Sequence, residues 1–378
     1  MIESIYYLLI LFPFVRWFGY GMSSDVQPFY LIAAVGIIIS AGLKRPLRIN
    51  RDMKLLYIEA VIGLLVGIIF TVINSGLTLD GVPRYIVTYS GLILNTLAAY
   101  LTIEKNKGLN EKAVKSAIIV YLLVGLVQKT LSSNFMYGWV SNPRTSETRG
   151  VISLASEPSF YGYMCIFFMV LSLEFSSKKT LFMILLLFQI FALANSSVTM
   201  LYIALFAAIC VIILIVRLDM KRVAFICAVG IVCAYGVYKW LSIHRPDSRS
   251  MYFINMLMNA DSYSNLTEQL SRDGSATLRF SGIMFCLEGF IRSFGMPHGF
   301  SAGKMSSGYG AMLYTMGWMG AVLIIRLFKI MKKGFKGTYV RALPYFLTII
   351  MFSSIQVSYP LFGYMLALCS YKTFRPVR

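Results

Sequence analysis

Apolar runs of membrane-spanning length recur along this chain, and they constrain its fold more than any other feature. An α-helix needs about 20 mostly apolar residues to cross the hydrocarbon core of a bilayer. Apolar residues make up 58% of the chain and charged residues only 13%, more apolar surface than a soluble core requires. The sequence therefore predicts an all-α polytopic integral membrane protein that forms a single membrane domain over residues 1–378. About twelve transmembrane helices are predicted, at roughly 3–20, 26–43, 55–73, 83–103, 114–132, 158–175, 180–195, 198–216, 223–241, 307–327, 340–356 and 360–371.

The net charge of +19 is distributed by side rather than spread over the chain. Most of the Lys and Arg residues lie in alternate connections, at 44–54, 105–115, 178–179, 217–222, 326–341 and 372–378. Cytoplasmic loops of membrane proteins carry such an excess of basic residues, so both termini are predicted to be cytoplasmic. The basic composition is thereby explained by topology, and nucleic acid is not expected as a partner.

Two long segments fall on the opposite side, at 133–157 and 242–306. Loops of this length in a compact protein are usually functional. Within the larger loop, residues 278–294 follow a helical period, and Glu288 and Arg292 are spaced for an ion pair. Its apolar residues are predicted to share one face: Phe280, Ile283, Met284, Leu287, Phe290, Ile291 and Phe294. We expect an amphipathic helix lying at the membrane surface.

Glu157 stands where the first of these loops enters a predicted span. Pro158 suits the first position of a helix, and Ser156 or Glu157 can cap it. One interpretation is a helix start with a salt bridge from Glu157 to Arg144 or Arg149. The other is catalytic, because a carboxylate fixed at a span mouth can accept a proton from a sugar hydroxyl.

Arginines on the predicted outer side are candidate ligands for an anionic substrate, because a guanidinium binds phosphate through two parallel hydrogen bonds. Arg16 lies inside the first predicted span, so its side chain either extends to the interface beside Trp17 or points into a polar cavity. His298 is interpreted as a turn residue, with an additional proton carrier as the alternative. The candidate substrate-binding residues are Arg16, Arg84, Arg144, Arg149, Arg292 and His298, and Arg279 joins Glu157 as a catalytic candidate.

Several short motifs together resemble bacterial O-antigen polymerases of the Wzy type, which share a superfamily with O-antigen ligases. The matching residues are Arg149 with Glu157-Pro158-Ser159-Phe160-Tyr161-Gly162, Arg279 ahead of Gly295, Gly308-Tyr309, and Met316-Gly317-Trp318-Met319-Gly320. The resemblance implies a GT-C-like helical fold in the bacterial inner membrane. It also implies an active site facing the periplasm, an undecaprenyl-pyrophosphate-linked oligosaccharide as substrate, and a chain-length regulator protein as partner. Arg149 and Arg279 correspond to the arginines thought to hold substrate in that family.

Two departures from the superfamily pattern bear on this expectation. Ser306-Ser307 stands where the ligase-like pattern has a His-Asn pair, which lowers the ligase interpretation. After the seventh predicted span the chain reads Asn195-Ser196-Ser197-Val198-Thr199, without the Ser-Arg pair often found there.

The resemblance predicts a glycosyltransferase that joins lipid-linked repeat units into long polysaccharide. Neither an Asp-x-Asp pair nor a glycine-rich phosphate loop occurs, so neither a metal nor another cofactor is expected. One alternative is an O-antigen ligase-like transferase. Another is a flippase or transporter of lipid-linked glycans, which predicts ionisable residues deep in several spans. Few occur beyond Arg16, Glu59, Glu174 and Lys239.

Overall fold

A computed structural model describes most of the chain as α-helix. Within the described residues there is no β-strand, and Val15 and Val140 form an isolated antiparallel bridge. The described residues are 1–17, 25–43, 49–75, 82–145, 150–215, 235, 236, 238, 239, 242, 243, 251, 255, 274–300, 305, 307–336, 340–353 and 355–374. The all-α prediction is confirmed for this part of the protein.

The described helices follow the predicted spans closely, except at two points discussed below. They are α1 Ile2–Leu11, α2 Tyr30–Gly42, α3 Arg51–Ser75, α4 Val82–Asn106, α5 Glu111–Thr130, α6 Pro158–Ser172, α7 Lys179–Phe188, α8 Ser197–Ile215, α9 Gly274–Arg292, α10 Gly308–Met316, α11 Trp318–Gly334, α12 Leu343–Phe352 and α13 Pro360–Phe374. A π-helix, Gln189–Ala194, continues α7, and 3-10 turns occur at Tyr137–Trp139 and Val340–Ala342. The predicted span 223–241 lies almost entirely outside the described residues.

Among the described residues, three helices, α3, α4 and α5, are long and apolar enough to cross a membrane. The surface of α3 supports such an environment, because it exposes a band of aliphatic side chains too large for an ordinary soluble surface. The exposed residues are Ile58, Val61, Ile62, Leu65, Ile69, Val72 and Ile73. The described fold is thus compatible with a membrane protein, and the number of spans stays a prediction.

The interior is organised around α13, which is buried from Pro360 to Tyr371. It packs against α4, where the amide of Asn95 donates to the carbonyl of Pro360 at 2.8 Å. The same Asn95 accepts a hydrogen bond from the Tyr6 hydroxyl of α1 at 2.7 Å. A polar side chain buried in this way stabilises the fold only when its partners are present, so these bonds fix the relative positions of α1, α4 and α13.

The first predicted span, 3–20, is wrong over residues 12–17, because α1 ends at Leu11. The reason is Pro13, whose ring disfavours helical backbone at the preceding residue, Phe12. Residues after the proline leave the helix: Phe14 lies in a turn, and Val15 forms the isolated bridge to Val140. The Arg16 amide donates to the carbonyl of Trp139 at 2.8 Å, and the Ser141 amide donates to the carbonyl of Phe14 at 2.9 Å. Arg16 therefore lies on a non-helical segment that is hydrogen-bonded to residues 139–141.

The predicted span 307–327 is also wrong as a single helix. The helix is interrupted at Gly317, and the second helix, α11, continues to Gly334. Gly317 adopts φ 57° and ψ −132°, a backbone conformation that residues with a side chain rarely adopt. The segment 295–300 lies against this break. Its Gly295 carbonyl accepts a hydrogen bond from the Trp318 amide at 3.0 Å, and its His298 amide donates to the carbonyl of Tyr314 at 3.0 Å.

The predicted apolar face of the loop helix, now α9, is divided between two environments. Phe290 packs edge-on against Trp318 with ring centroids 5.4 Å apart, whereas Met284 and Ile291 are 46% and 69% exposed. The division has a local cause, since Gly289 has no side chain and lets the Tyr314 ring approach α9 closely. The predicted ion pair between Glu288 and Arg292 is confirmed on the exposed side.

An ion pair between Glu59 of α3 and Arg326 of α11 is expected to contribute strongly to stability. The two side chains are only 14% and 19% exposed, and Arg326 Nη2 and Nε lie 2.5 and 3.0 Å from the Glu59 carboxylate oxygens. Removing Glu59 leaves Arg326 with Asp52, 3.9 Å away, as its remaining carboxylate partner, so Glu59→Ala should cost roughly 1.5–3 kcal/mol. The measurement is the midpoint of thermal unfolding in detergent.

The matched control for this prediction is Glu288→Ala, because the Glu288–Arg292 pair is 54% and 78% exposed. Exposed pairs contribute about 0–1 kcal/mol. Equal midpoints for Glu59→Ala and Glu288→Ala would show that the α3–α11 pair adds no more than a surface pair.

Candidate functional site

The segment that leads into α6 is buried and held by hydrogen bonds. Gln128 of α5 donates to the Ser153 carbonyl at 3.0 Å and accepts from the Ser153 amide at 2.7 Å. The Ser153 hydroxyl donates to the carbonyl of Tyr121 at 2.7 Å. The neighbouring side chains of Ile152 and Leu154 are buried. A loop satisfied in this way holds whatever follows it in a defined position.

Glu157 follows this loop at the N-cap position of α6, with extended backbone at φ −153° and ψ 162°. The predicted helix start at Pro158 is confirmed, but the Glu157 side chain makes no capping bond to the helix backbone. Its carboxylate instead accepts a hydrogen bond from the Ser159 hydroxyl and lies 3.7 Å from Arg144 Nη2. The predicted salt bridge to Arg144 is therefore confirmed. With 16% of its side chain exposed, Glu157 remains accessible to solvent at the N-terminal end of α6.

Asp25 completes this arrangement, and the sequence did not single it out. Arg144 Nη2 lies 2.7 Å from Asp25 Oδ2, closer than it lies to Glu157. The Asn142 amide donates to the same carboxylate at 3.5 Å. Asp25, Arg144 and Glu157 are hereafter the carboxylate cluster. Arg144 is paired with two carboxylates, so its positive charge is already compensated within the cluster.

Hydrogen bonds and ring stacking hold residues 14–16, which include Arg16, beside the carboxylate cluster. The Ser156 hydroxyl donates to the Ser141 carbonyl at 2.6 Å, and the Ser141 amide donates to Phe14. The ring of Phe14 stacks on Phe160, in the first turn of α6, at 5.4 Å. Arg16 Nε is buried, and no hydrogen-bond partner for it occurs among the described residues.

The remaining predicted site residues lie apart from this cluster or outside the described structure. Arg84 is exposed in the first turn of α4, and Arg292 pairs with Glu288. His298 stacks on Tyr314 at 4.1 Å, and its Nδ1 is buried without a partner in the part of the chain that is described. Arg149 and the side chain of Arg279 lie outside the described residues. Among the described residues, no hydrogen bond or ion pair joins Arg84, Arg292 or His298 to the carboxylate cluster.

Tyr137 lies within the 133–157 loop, and the pKa of its phenol is raised. Burial raises the pKa of its phenol, and a hydrogen bond with Thr145 lowers it by a smaller amount. Tyr137 therefore stays a neutral hydroxyl at neutral pH. Among the described residues, no three His, Cys, Asp or Glu side chains are grouped to hold a metal ion.

The fold and the site together define a helical protein with helices of membrane-spanning length and a cluster of paired acidic and basic side chains where α6 begins. Comparisons with protein-family models, with curated proteins and with solved structures find no match for this chain.

Proposed function

We propose that this protein is an O-antigen polymerase of the Wzy type, a glycosyltransferase of the bacterial inner membrane. It joins undecaprenyl-pyrophosphate-linked oligosaccharide repeat units into long polysaccharide. The observation that carries the proposal is the Glu157 carboxylate, held at the start of α6 by Ser159 and Arg144. This position fits a general base that meets a sugar hydroxyl at the membrane boundary.

The proposed reaction is a single displacement at the anomeric carbon of the growing chain. A hydroxyl of the incoming repeat unit attacks that carbon while Glu157 accepts the hydroxyl proton, and the lipid pyrophosphate departs. One displacement inverts the configuration of the anomeric carbon. Preorganised cations stabilise the charge that develops on the leaving group, a role that the family resemblance gives to Arg149 and Arg279.

Helix geometry supports a carboxylate at this point. The N-terminus of α6 carries the positive end of the helix dipole, and Pro158 at its first position leaves one fewer amide unsatisfied. Ser159 donates to one oxygen of Glu157, which fixes the carboxylate for proton transfer. Arg144 compensates the charge of Glu157 from 3.7 Å, a longer distance than the 2.7 Å that separates Arg144 from Asp25.

The proposal includes a topology and a partner. Both termini are placed in the cytoplasm, and the carboxylate cluster faces the periplasm, where the two long loops 133–157 and 242–306 lie. This orientation rests on the distribution of basic residues. A chain-length regulator acting within the membrane or at its outer face is proposed from the resemblance.

The test is to incubate the purified protein, in detergent or nanodiscs, with its host's pyrophosphate-linked repeat unit and without nucleotide or added metal. A glycan ladder that steps by one repeat unit is the expected product. Transfer of single units to a lipid acceptor would favour a ligase-like transferase. Unchanged units that the protein moves across vesicle bilayers would instead favour the flippase alternative.

A further inference from the structure

We propose that Arg16 binds the pyrophosphate of the lipid-linked donor, while Arg144 positions Glu157 and binds no phosphate. The inference rests on the proposed function and assigns different roles in that site to Arg16 and Arg144. It starts from charge compensation, because an arginine already paired with carboxylates attracts an anion less than an arginine without one.

Two of the four outer arginines with described side chains are already paired. Arg144 lies 2.7 Å from Asp25 and 3.7 Å from Glu157. Arg292 pairs with Glu288 on an exposed helix face. Arg16 and Arg84 have no carboxylate partner among the described residues.

Burial separates Arg16 from Arg84. Arg84 is exposed, so its guanidinium can be hydrated. Arg16 is half-buried, and its Nε is shielded from solvent with no acceptor in the described part of the chain. A guanidinium stays charged, and shielding its N–H groups without an acceptor is unfavourable. An arriving phosphate supplies acceptors to the remaining N–H groups of this guanidinium and so compensates a cation whose Nε has none.

The non-helical segment after Pro13 gives Arg16 a fixed place beside the proposed base. Its amide is tied to the Trp139 carbonyl at 2.8 Å, and Phe14, two residues earlier, stacks on Phe160 at 5.4 Å. Phe160 is three residues after Glu157. The cation and the base are therefore held by the same packed junction of residues 14–16, 139–141 and 156–160.

This division suits the bond changes of the proposed transfer. The bond between the anomeric carbon and the pyrophosphate oxygen breaks, and its electron pair stays on that oxygen. A new bond forms from the acceptor oxygen to the anomeric carbon, and the acceptor proton passes to Glu157. Arg16 would stabilise the charge gained by the departing pyrophosphate, which a guanidinium matches by two parallel hydrogen bonds.

The experiment measures lipid binding directly, by native mass spectrometry of the detergent-held protein. The probes are undecaprenyl pyrophosphate without sugar and phosphatidylglycerol, which separate the carrier pyrophosphate from an ordinary phospholipid headgroup. Arg16→Gln should weaken undecaprenyl pyrophosphate binding roughly 10- to 100-fold. Arg16→Lys, which keeps the charge but loses the planar fork, should weaken it less. Phosphatidylglycerol binding should change less than about twofold.

The charge-matched control is Lys105→Gln, which removes a cation that is 66% exposed and paired with Glu3. It should leave both affinities unchanged. Unaltered undecaprenyl pyrophosphate binding in both Arg16 variants would overturn the proposal. Equal losses for both lipids would also overturn it, by making Arg16 a general lipid anchor. Thermal midpoints establish that each variant is folded. Arg16-dependent binding without any glycan ladder from the parent protein would refute the proposed function and leave the Arg16 assignment standing.

Discussion

Glu157→Gln is expected to lower the rate of glycan elongation roughly 100- to 10,000-fold, the usual contribution of a positioned general base. Glutamine has nearly the same shape and can still accept a hydrogen bond from Ser159, but it cannot take up the acceptor proton. The protein should therefore fold and bind lipid normally. The measurement is the initial rate of repeat-unit addition, resolved by glycan size.

The matched control is Glu174→Gln, a carboxylate that pairs with Lys372 at 2.7 Å and lies away from the carboxylate cluster. Its elongation rate should stay within about threefold of the parent. A Glu157→Gln protein that elongates glycan at the parent rate would rule out Glu157 as the base. Asp25 would then be the next candidate, since it shares Arg144.

Gly317→Ala is expected to destabilise the protein strongly and to lower its yield. A Cβ at residue 317 would lie 2.1 Å from the carbonyl oxygen of Gly295 and 2.8 Å from the nitrogen of Pro297. The positive φ of 57° adds strain of about 1–3 kcal/mol, and displacing packed backbone adds a similar amount. We expect a lower yield, aggregation on size-exclusion chromatography and a lower thermal midpoint.

Gly42→Ala provides the control, because a Cβ at residue 42 has no atom within 4 Å. Alanine is favoured over glycine in a helix by about 1 kcal/mol, so this variant should be as stable as the parent or slightly more. If Gly317→Ala matched Gly42→Ala in yield and midpoint, the break between α10 and α11 would not need its observed backbone geometry.

Hydrophobic length was enough to predict where the long helices lie. The predicted span 83–103 coincides with α4, Val82–Asn106, because nothing interrupts its apolar run. The breaks were harder to predict. A sliding apolar window does not register Pro13 or Gly317, although the restriction that a proline places on its predecessor was a usable signal. The interruption at Gly317 depends on a contact with Gly295, 22 residues away, and the local sequence does not predict that contact.

The candidate site was predictable only where its residues are close in sequence. Glu157, Pro158 and Arg144 lie within one segment, and both the helix start and the ion pair could be expected from it. Asp25 is 119 residues from Arg144, so its role depends on the tertiary fold. The same holds for Arg16, whose surroundings changed once α1 ended at Leu11.

The shortness of α1 has a consequence for biogenesis. Ten residues of helix extend about 15 Å, half the thickness of a bilayer core. The hydroxyl of Tyr7 in α1 lies 3.3 Å from that of Tyr364 in α13, a residue translated 357 positions later. In the proposed membrane location, non-helical backbone is tolerated only where protein or a water-filled cavity adjoins it. The segment after α1 bonds to Trp139 and Ser141, which do not yet exist when it emerges. A nascent chain stalled before α13 should consequently be a target for membrane quality-control proteolysis.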